Sequence, residues 1–177
     1  MVVLYLSFLY LSNFKNMNIV YLQLGSNLGE REILISQALR CISQNVGEIT
    51  LFSKLYESTP WRSEGQGNYL NQIVKLETSL SAEDTLVSVL KIENDLGRVR
   101  IEKWGERLID IDIIFFNNEI FENPDLCIPH KHMHERNFVL VPLNEIAPNL
   151  IHPKYKTTVV ELLSCSKDTE KVVEYEI

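Results

Sequence analysis

Two aspartates interrupt an otherwise apolar run, Leu108-Ile-Asp-Ile-Asp-Ile-Ile-Phe-Phe116. Its β-branched and aromatic residues read as a strand, where aspartate is depleted. Side chains along a strand alternate between faces. Ile109, Ile111, Ile113 and Phe115 then share a face expected to be core, and Asp110 and Asp112 share the other. A rise of about 3.3 Å per residue puts the two aspartate Cα atoms about 6.6 Å apart. Carboxylates so placed can hold one or two hard cations, and Mg2+ commonly takes one or two carboxylates plus substrate phosphates. The competing reading is an exposed sheet face on which both carboxylates meet only water.

The surrounding charge bears on that choice. Arg98, Arg100, Lys103 and Arg107 precede the strand, and His130, Lys131 and Arg136 follow it. Six of the 17 Lys and Arg residues fall between Arg98 and Arg136. A carboxylate pair beside a basic run suits a nucleotide carrying Mg2+, because the metal needs anionic ligands and the phosphates need Arg or Lys. A solvated basic loop is the plainer alternative. The segment Pro129-His-Lys-His-Met-His-Glu-Arg136 holds three of the four histidines. Its spacing fits no zinc pattern, so one histidine on phosphate or substrate, with the others structural or exposed, is the preferred reading.

A third group can receive a flat heterocycle. Thr59-Pro60-Trp61 and Tyr69-Leu-Asn71 flank a polar loop. An aromatic ring can stack on a heterocycle, and an amide such as Asn71 offers both a donor and an acceptor. Taken singly, Trp61, Tyr69 and Phe138 are more often core residues. Gly25 either permits close backbone approach to a ligand or only makes a turn.

The elements that must position these residues alternate. Asn18–Leu24 reads as a strand broken by Gly25-Ser26-Asn27. Asn27 with Glu30 resembles a capping box opening a helix to about Gln44. Glu48–Glu57 reads as one strand, Ser58–Asn68 as a loop and Tyr69–Thr78 as a strand. Ser81, with Asp84 at the capping-box position, opens a second helix ending near Gly97. After the aspartate strand come a loop over Pro124–His132, a partly helical Glu135–Ile146, a short helix Thr158–Ser164 and an edge strand over 171–177. The order β-α-β-β-α-β is that of an α+β, ferredoxin-like antiparallel sheet with helices packed on it in three α-β-α layers, a fold that decides nothing about chemistry.

Composition narrows the class. The 177 residues are 45% hydrophobic and 23% charged, which suits one globular domain, placed here over residues 17–177. A net charge of −7 argues against a nucleic-acid partner. Cys41, Cys127 and Cys165 are odd in number and widely spaced, as in a reducing, cytoplasmic setting. Val2–Leu11 is apolar but too short for a bilayer span of about 20 residues, and it lacks the flanks of a signal peptide. Residues 1–16 are read as a poorly ordered or mis-annotated extension with Met17 as the working start. An added strand or helix is the next reading and a membrane anchor the last.

In order and spacing, Tyr21-Leu-Gln-Leu-Gly-Ser-Asn-Leu-Gly29, Tyr69-Leu-Asn71, Gly97-Arg-Val-Arg100, Trp104-Gly-Glu-Arg107, Asp110-Ile-Asp112 and Pro129 to Pro148 resemble the hydroxymethyldihydropterin pyrophosphokinase family. The resemblance runs from about Ile19 to Ile151. It implies transfer of a diphosphoryl group from MgATP to a pterin alcohol, with Asp110 and Asp112 ligating two Mg2+ ions. It puts Arg98, Arg107, His130 and Arg136 on the triphosphate, Glu93 near the metal and nucleotide, and Arg100 and Lys103 on a loop that closes over both substrates. Trp104 and Phe138 would sandwich the pterin, Asn71 would bond its edge, and Gly25, Thr59, Pro60, Trp61 and Tyr69 would complete the pocket. Arg98, Arg107, Asp110 and Asp112 carry catalysis in this reading, and no strong general base stands out. The loop before Trp104 is one residue shorter than in some members. Lys103 stands where Arg is frequent, and a lysine is a point charge without the planar fork. ATP and the pterin are the implied partners of a monomer, with other folate enzymes as functional neighbours. A non-catalytic ferredoxin-like binding module is the alternative. An ordinary kinase is a further one, although no Walker or protein-kinase signature is present.

Overall fold

The computed structural model describes residues 17–61, 65–98 and 106–176. They form a mixed fold of helices and an antiparallel sheet. Strand β1 (Asn18–Ser26) lies centrally, paired on one side with β4 (Tyr69–Thr78) and on the other with β5 (Asp110–Phe116). The outer edge of β4 carries β2 (Glu48–Phe52) and β3 (Tyr56–Ser58), and β8 (Val172–Glu174) pairs with β3 as the expected edge strand. Helices α1 (Arg31–Asn45) and α2 (Ala82–Asp95) put Ile35, Ala38, Ile42, Val89 and Ile92 into one cluster with Val20, Leu22 and Leu24 of β1. Helices α3 (Asn137–Ile146) and α4 (Val159–Ser164) supply Val139, Leu140, Leu143 and Val159 to a second cluster with Tyr21 and Ile73. Alternation along β1 divides the two clusters between its faces.

Several boundaries differ from expectation, each for a local reason. The single strand expected over Glu48–Glu57 is two. At Ser53 side chains take over half of the ladder: its N–H still donates to the Ile73 carbonyl at 2.9 Å, but its Oγ accepts the Ile73 N–H at 3.0 Å, and its carbonyl accepts Gln72 Nε2 at 2.7 Å. The Asn27–Glu30 capping box is absent. Helix α1 begins at Arg31 behind Glu30 with no side-chain cap, because Asn27 Oδ1 is engaged by the Arg107 N–H at 2.8 Å. Ser81 does cap α2, accepting the Asp84 N–H, but the Asp84 carboxylate takes the Ser81 hydroxyl rather than a backbone N–H. The reciprocal box instead opens α4, between Thr158 and Glu161. Within the expected loop over Pro124–His132, β7 (Cys127–Ile128) pairs with β6 (Phe121–Glu122).

The aspartate strand departs most usefully. Leu22 pairs with Ile113 but Tyr21 with Phe115, so one extra residue is inserted in β5 at Ile114. Such a bulge swaps the faces beyond it. Phe115 therefore leaves the face of Ile109, Ile111 and Ile113 and packs edge-on against Tyr21 in the second cluster. Asp110 and Asp112 share that second face, which α3 and α4 cover farther along, so it is not the open sheet surface of the plainer reading.

Tight passages hold these layers. A Cβ on Gly47 would stand 2.2 Å from the Glu77 carbonyl oxygen, so only glycine lets the turn from α1 to β2 cross β4 this closely. His152, 3% exposed, stacks on Tyr155 and meets the Phe115 ring edge-on. Its Nδ1 accepts the backbone N–H groups of Lys154 and Tyr155, each at 3.2 Å. Burial, followed by the charges of His134 and Lys154, lowers its pKa from 6.5 to about 4. The unfolded chain then takes up this proton first, so the stability it contributes is complete above pH 6.5 and is lost as pH falls toward 4. His130 and His134 shift the same way and steepen the loss. Urea unfolding at pH 7 and pH 4.5 is expected to show the drop. His152→Asn should cost about 1–3 kcal/mol at pH 7 and reduce the pH dependence, whereas an unchanged slope would assign the acid sensitivity elsewhere.

Candidate functional site

The site forms where three central strands meet. Gly25 on β1 lies opposite Asn71 of β4 on one side and Asp110 of β5 on the other, and Gln23 lies opposite Asp112. A Cβ at Gly25 would meet Asn71 Oδ1 at 3.7 Å and the Tyr69 ring at 3.9 Å, which is ordinary contact. Packing does not require this glycine. Its missing side chain instead leaves the floor between the amide and the carboxylate open.

On the acidic side, Glu93 of α2 is buried and accepts the Ile111 N–H at 2.7 Å, tying the helix to the strand between the two aspartates. Arg98, just past α2, pairs with both Glu93 and Asp110, the latter at 2.6 Å from Nη1 to Oδ1. Arg107 holds the other oxygen of Asp110. Asp112 is treated differently. Among the described residues the nearest group that could pair with it is His130, with Nε2 3.9 Å away. Its side chain keeps 37% of its surface open. Desolvation first, then the Asp110 charge, raises its pKa to about 7, with Arg136 pulling the other way. A cation arriving here would relieve that repulsion. His130 is held neutral, its pKa lowered to about 4 chiefly by burial and then by Arg136. Among the described residues no three His, Cys, Asp or Glu side chains converge as a metal group. A cation at this pair would therefore complete its shell from a ligand or water, as Mg2+ does.

The opposite wall is amide and aromatic. Asn71 Nδ2 donates to Ser58 Oγ at 2.9 Å and to the Tyr56 and Tyr69 carbonyls. Those acceptors fix the amide, and its Oδ1 faces Gln23 Nε2 at 3.1 Å. Gln23 Nε2 also donates to the Leu24 carbonyl, so its own orientation is set as well. The Arg136 guanidinium lies 4.5 Å from the Trp61 ring centre and 5.6 Å from that of Phe138. Burial is the main cause that lowers its pKa. Thr59 is hydrogen-bonded to Glu170. The cleft between these walls encloses about 630 Å3 of space including its open mouth.

Most residues singled out in the sequence meet here. Gly25, Thr59, Trp61, Tyr69, Asn71, Arg107, Asp110, Asp112, Arg136 and Phe138 line the cleft. Glu93 and Arg98 join it through Asp110, and His130 joins it beside Asp112. Pro60 is adjacent in the chain but does not line the cleft. Arg100, Lys103 and Trp104 lie outside the described residues. Gln23 and Ser58 line the cleft and were not anticipated. A glutamine amid the apolar β1 sequence was the available signal, since a buried amide demands partners.

Replacing Gln23 with Leu removes one bond to Asn71 Oδ1. Affinity for a pterin, the ligand the sequence resemblance implies, followed by fluorescence titration, is expected to fall about 3- to 10-fold, the value of one neutral hydrogen bond. Unchanged affinity would show that Asn71 needs no help from Gln23.

Comparison with known proteins identifies the family. The sequence model of the family 7,8-dihydro-6-hydroxymethylpterin-pyrophosphokinase (HPPK) matches residues 21–148. The 2-amino-4-hydroxy-6-hydroxymethyldihydropteridine pyrophosphokinase of Aquifex aeolicus is 42% identical over 142 residues, 80% of this chain and 88% of that protein. The enzyme of the same name from Haemophilus influenzae is 45% identical over 135 residues, 75% of this chain and 84% of that one. Among solved structures, wild-type Plasmodium falciparum HPPK-DHPS with pteroate superposes with a TM-score of 0.70 at 17% identity. That match covers 84% of this chain but only 44% of the longer one, and it speaks for the fold. The chain belongs to the 7,8-dihydro-6-hydroxymethylpterin-pyrophosphokinase family.

Proposed function

We propose that this chain transfers the diphosphoryl group of ATP to 6-hydroxymethyl-7,8-dihydropterin in folate biosynthesis, releasing AMP. Family membership supports the reaction. The observation that carries it to particular residues is the placing of Asp110, Asp112 and Arg107 in one cleft with Asn71, Trp61 and Phe138. One wall suits phosphates and a metal, the other a flat heterocycle, and the hydroxymethyl group of a bound pterin would lie between them.

In this reading Asp110 and Asp112 would hold two Mg2+ ions, and the metal would neutralise charge on the ATP phosphate oxygens. Arg98, Arg107 and Arg136 orient the triphosphate, while neutral His130 donates or accepts a hydrogen bond beside Asp112. Asn71 bonds the pterin edge, and Phe138 stacks on its ring in place of the Arg136 guanidinium. The hydroxymethyl oxygen forms a bond to the β-phosphorus and gives up its proton to water, the bond from that phosphorus to the α-phosphate oxygen breaks, and AMP leaves with the electron pair. Catalysis is then alignment and preorganised charge. The resemblance assigns Arg100 and Lys103 to a closing loop and Trp104 to the other face of the pterin; all three lie outside the described residues.

The strand order supports a ferredoxin-like, three-layer reading of the fold. Taking β2 and β3 as one interrupted strand, the sheet runs fourth, first, third, second. No helix among the described residues is long and apolar enough to cross a membrane; a cytoplasmic location and a monomeric state are part of the proposal. The HPPK-DHPS chains of the same fold support a place beside other folate enzymes.

Purified protein given MgATP and 6-hydroxymethyl-7,8-dihydropterin is expected to form AMP only when the pterin is present, read by nucleotide chromatography. Asp110→Ala with Asp112→Ala should lower the rate by roughly a thousandfold or more, the scale of losing preorganised charge stabilisation. ADP as product would make it an ordinary kinase. Folded protein without turnover would leave a binding module.

A further inference from the structure

The two aspartates meet different partners, and the difference has a consequence for how a metal enters. Both oxygens of Asp110 are taken up by protein cations, Arg98 on one and Arg107 on the other. Among the described residues Asp112 has no ion pair of that kind: neutral His130 stands 3.9 Å away, and Arg136 and Arg107 act on it at longer range. A divalent cation that needs both carboxylates can reach Asp112 directly but must displace a guanidinium from Asp110.

Arg98 is firmly held for this contact. It follows Gly97, whose φ of 87° turns the chain back at the end of α2, a conformation natural to glycine. The Arg98 N–H donates to the Glu93 carbonyl at 3.0 Å. Its guanidinium is 14% exposed and pairs with the Glu93 carboxylate as well as with Asp110. Glu93 in turn grips Ile111, the residue between the two aspartates. Helix and strand therefore aim the Arg98 cation at the oxygen a metal would use.

Charge then decides what can bind. Among the described residues, Glu93, Asp110 and Asp112 face Arg98, Arg107 and Arg136, three acidic groups and three basic ones. A bare divalent cation entering this half-buried cluster would add two positive charges to it and leave the Arg98 guanidinium beside the metal, held by Glu93 alone and repelling it. A nucleotide phosphate removes that penalty, because its oxygens accept the guanidinium in a charge-assisted pair as the carboxylate turns to the metal.

We infer that Arg98 makes cation binding conditional on the nucleotide: it occupies Asp110 until phosphate oxygens arrive, then exchanges the carboxylate for phosphate as the metal takes Asp110. The free cation is refused and the metal–nucleotide complex is accepted. The inference rests on the cleft being the metal and nucleotide site of the preceding section.

The test reads binding rather than turnover. Free Mn2+, counted by its electron paramagnetic resonance signal, is titrated with protein alone and with protein saturated by α,β-methylene-ATP. Wild-type protein is expected to bind Mn2+ at least tenfold more tightly with the analogue than without. Arg98→Gln should bind Mn2+ alone about tenfold more tightly than wild type and shrink the gain from the analogue. Arg98→Lys keeps the charge and should stay close to wild type. If Arg98→Gln melts too early to measure, Arg107→Gln removes the other guanidinium from the same carboxylate and should also tighten Mn2+ alone. A folded Arg98→Gln protein that binds the Mn2+–analogue pair but takes Mn2+ alone no better than wild type would overturn the inference and leave the proposed function standing. Wild-type protein that binds neither metal nor analogue would remove the proposed function, and the inference with it.

Discussion

Everything in the cleft depends on the register of β1 between β4 and β5. That pairing sets Gly25 between Asn71 and Asp110, and Gln23 beside Asp112. Because strand side chains alternate, a slip of one residue would turn both aspartates into the cluster of Leu22 and Leu24 and carry Ile111 into the cleft. Apolar burial on both faces of β1 makes such a slip costly. The Glu93–Ile111 bond and the bulge at Ile114 pin the strand from two more directions. The bulge also serves the site. It lets β5 give carboxylates to the cleft at one end and Phe115 to the second cluster at the other.

The electrostatics follow from this scaffold. Two carboxylates on one strand face would repel each other if left alone, and the protein answers differently at each. Asp110 is neutralised by two arginines. Asp112 is left partly open with its pKa raised, so it favours a proton or a cation over bare charge. On the heterocycle side polar groups are fixed rather than free: Asn71 is committed on its donor side to Ser58 and two carbonyls. One wall of the cleft is thus poised to exchange ions while the other is rigid.

Much of this could be read from residue order. The aspartate pair, the basic residues around it, both long helices and the two long central strands all follow from local pattern, because periodicity and charge spacing are local properties. What escaped depended on contacts between distant segments. Nothing near Ser53 in the chain reveals that its hydroxyl will take the Ile73 N–H and split a strand. Asn27 reads as a helix cap until Arg107, eighty positions away, competes for its side chain. Phe115 changes face because of an inserted residue that alternation alone does not show. Gln23 entered the site for the same reason: its partner Asn71 lies on another strand.

The central claim is that Asp110 and Asp112 together hold the metal against a nucleotide in this cleft. Crystals grown with Mn2+, α,β-methylene-ATP and 6-hydroxymethylpterin test it most directly, through the anomalous signal of manganese. The account predicts a manganese peak bonded to a carboxylate oxygen of each aspartate, at about 2.1 Å as for a hard divalent cation, with Arg98 turned from Asp110 to phosphate. A bound nucleotide whose manganese touches neither aspartate, with Arg98 still paired to Asp110, would contradict it.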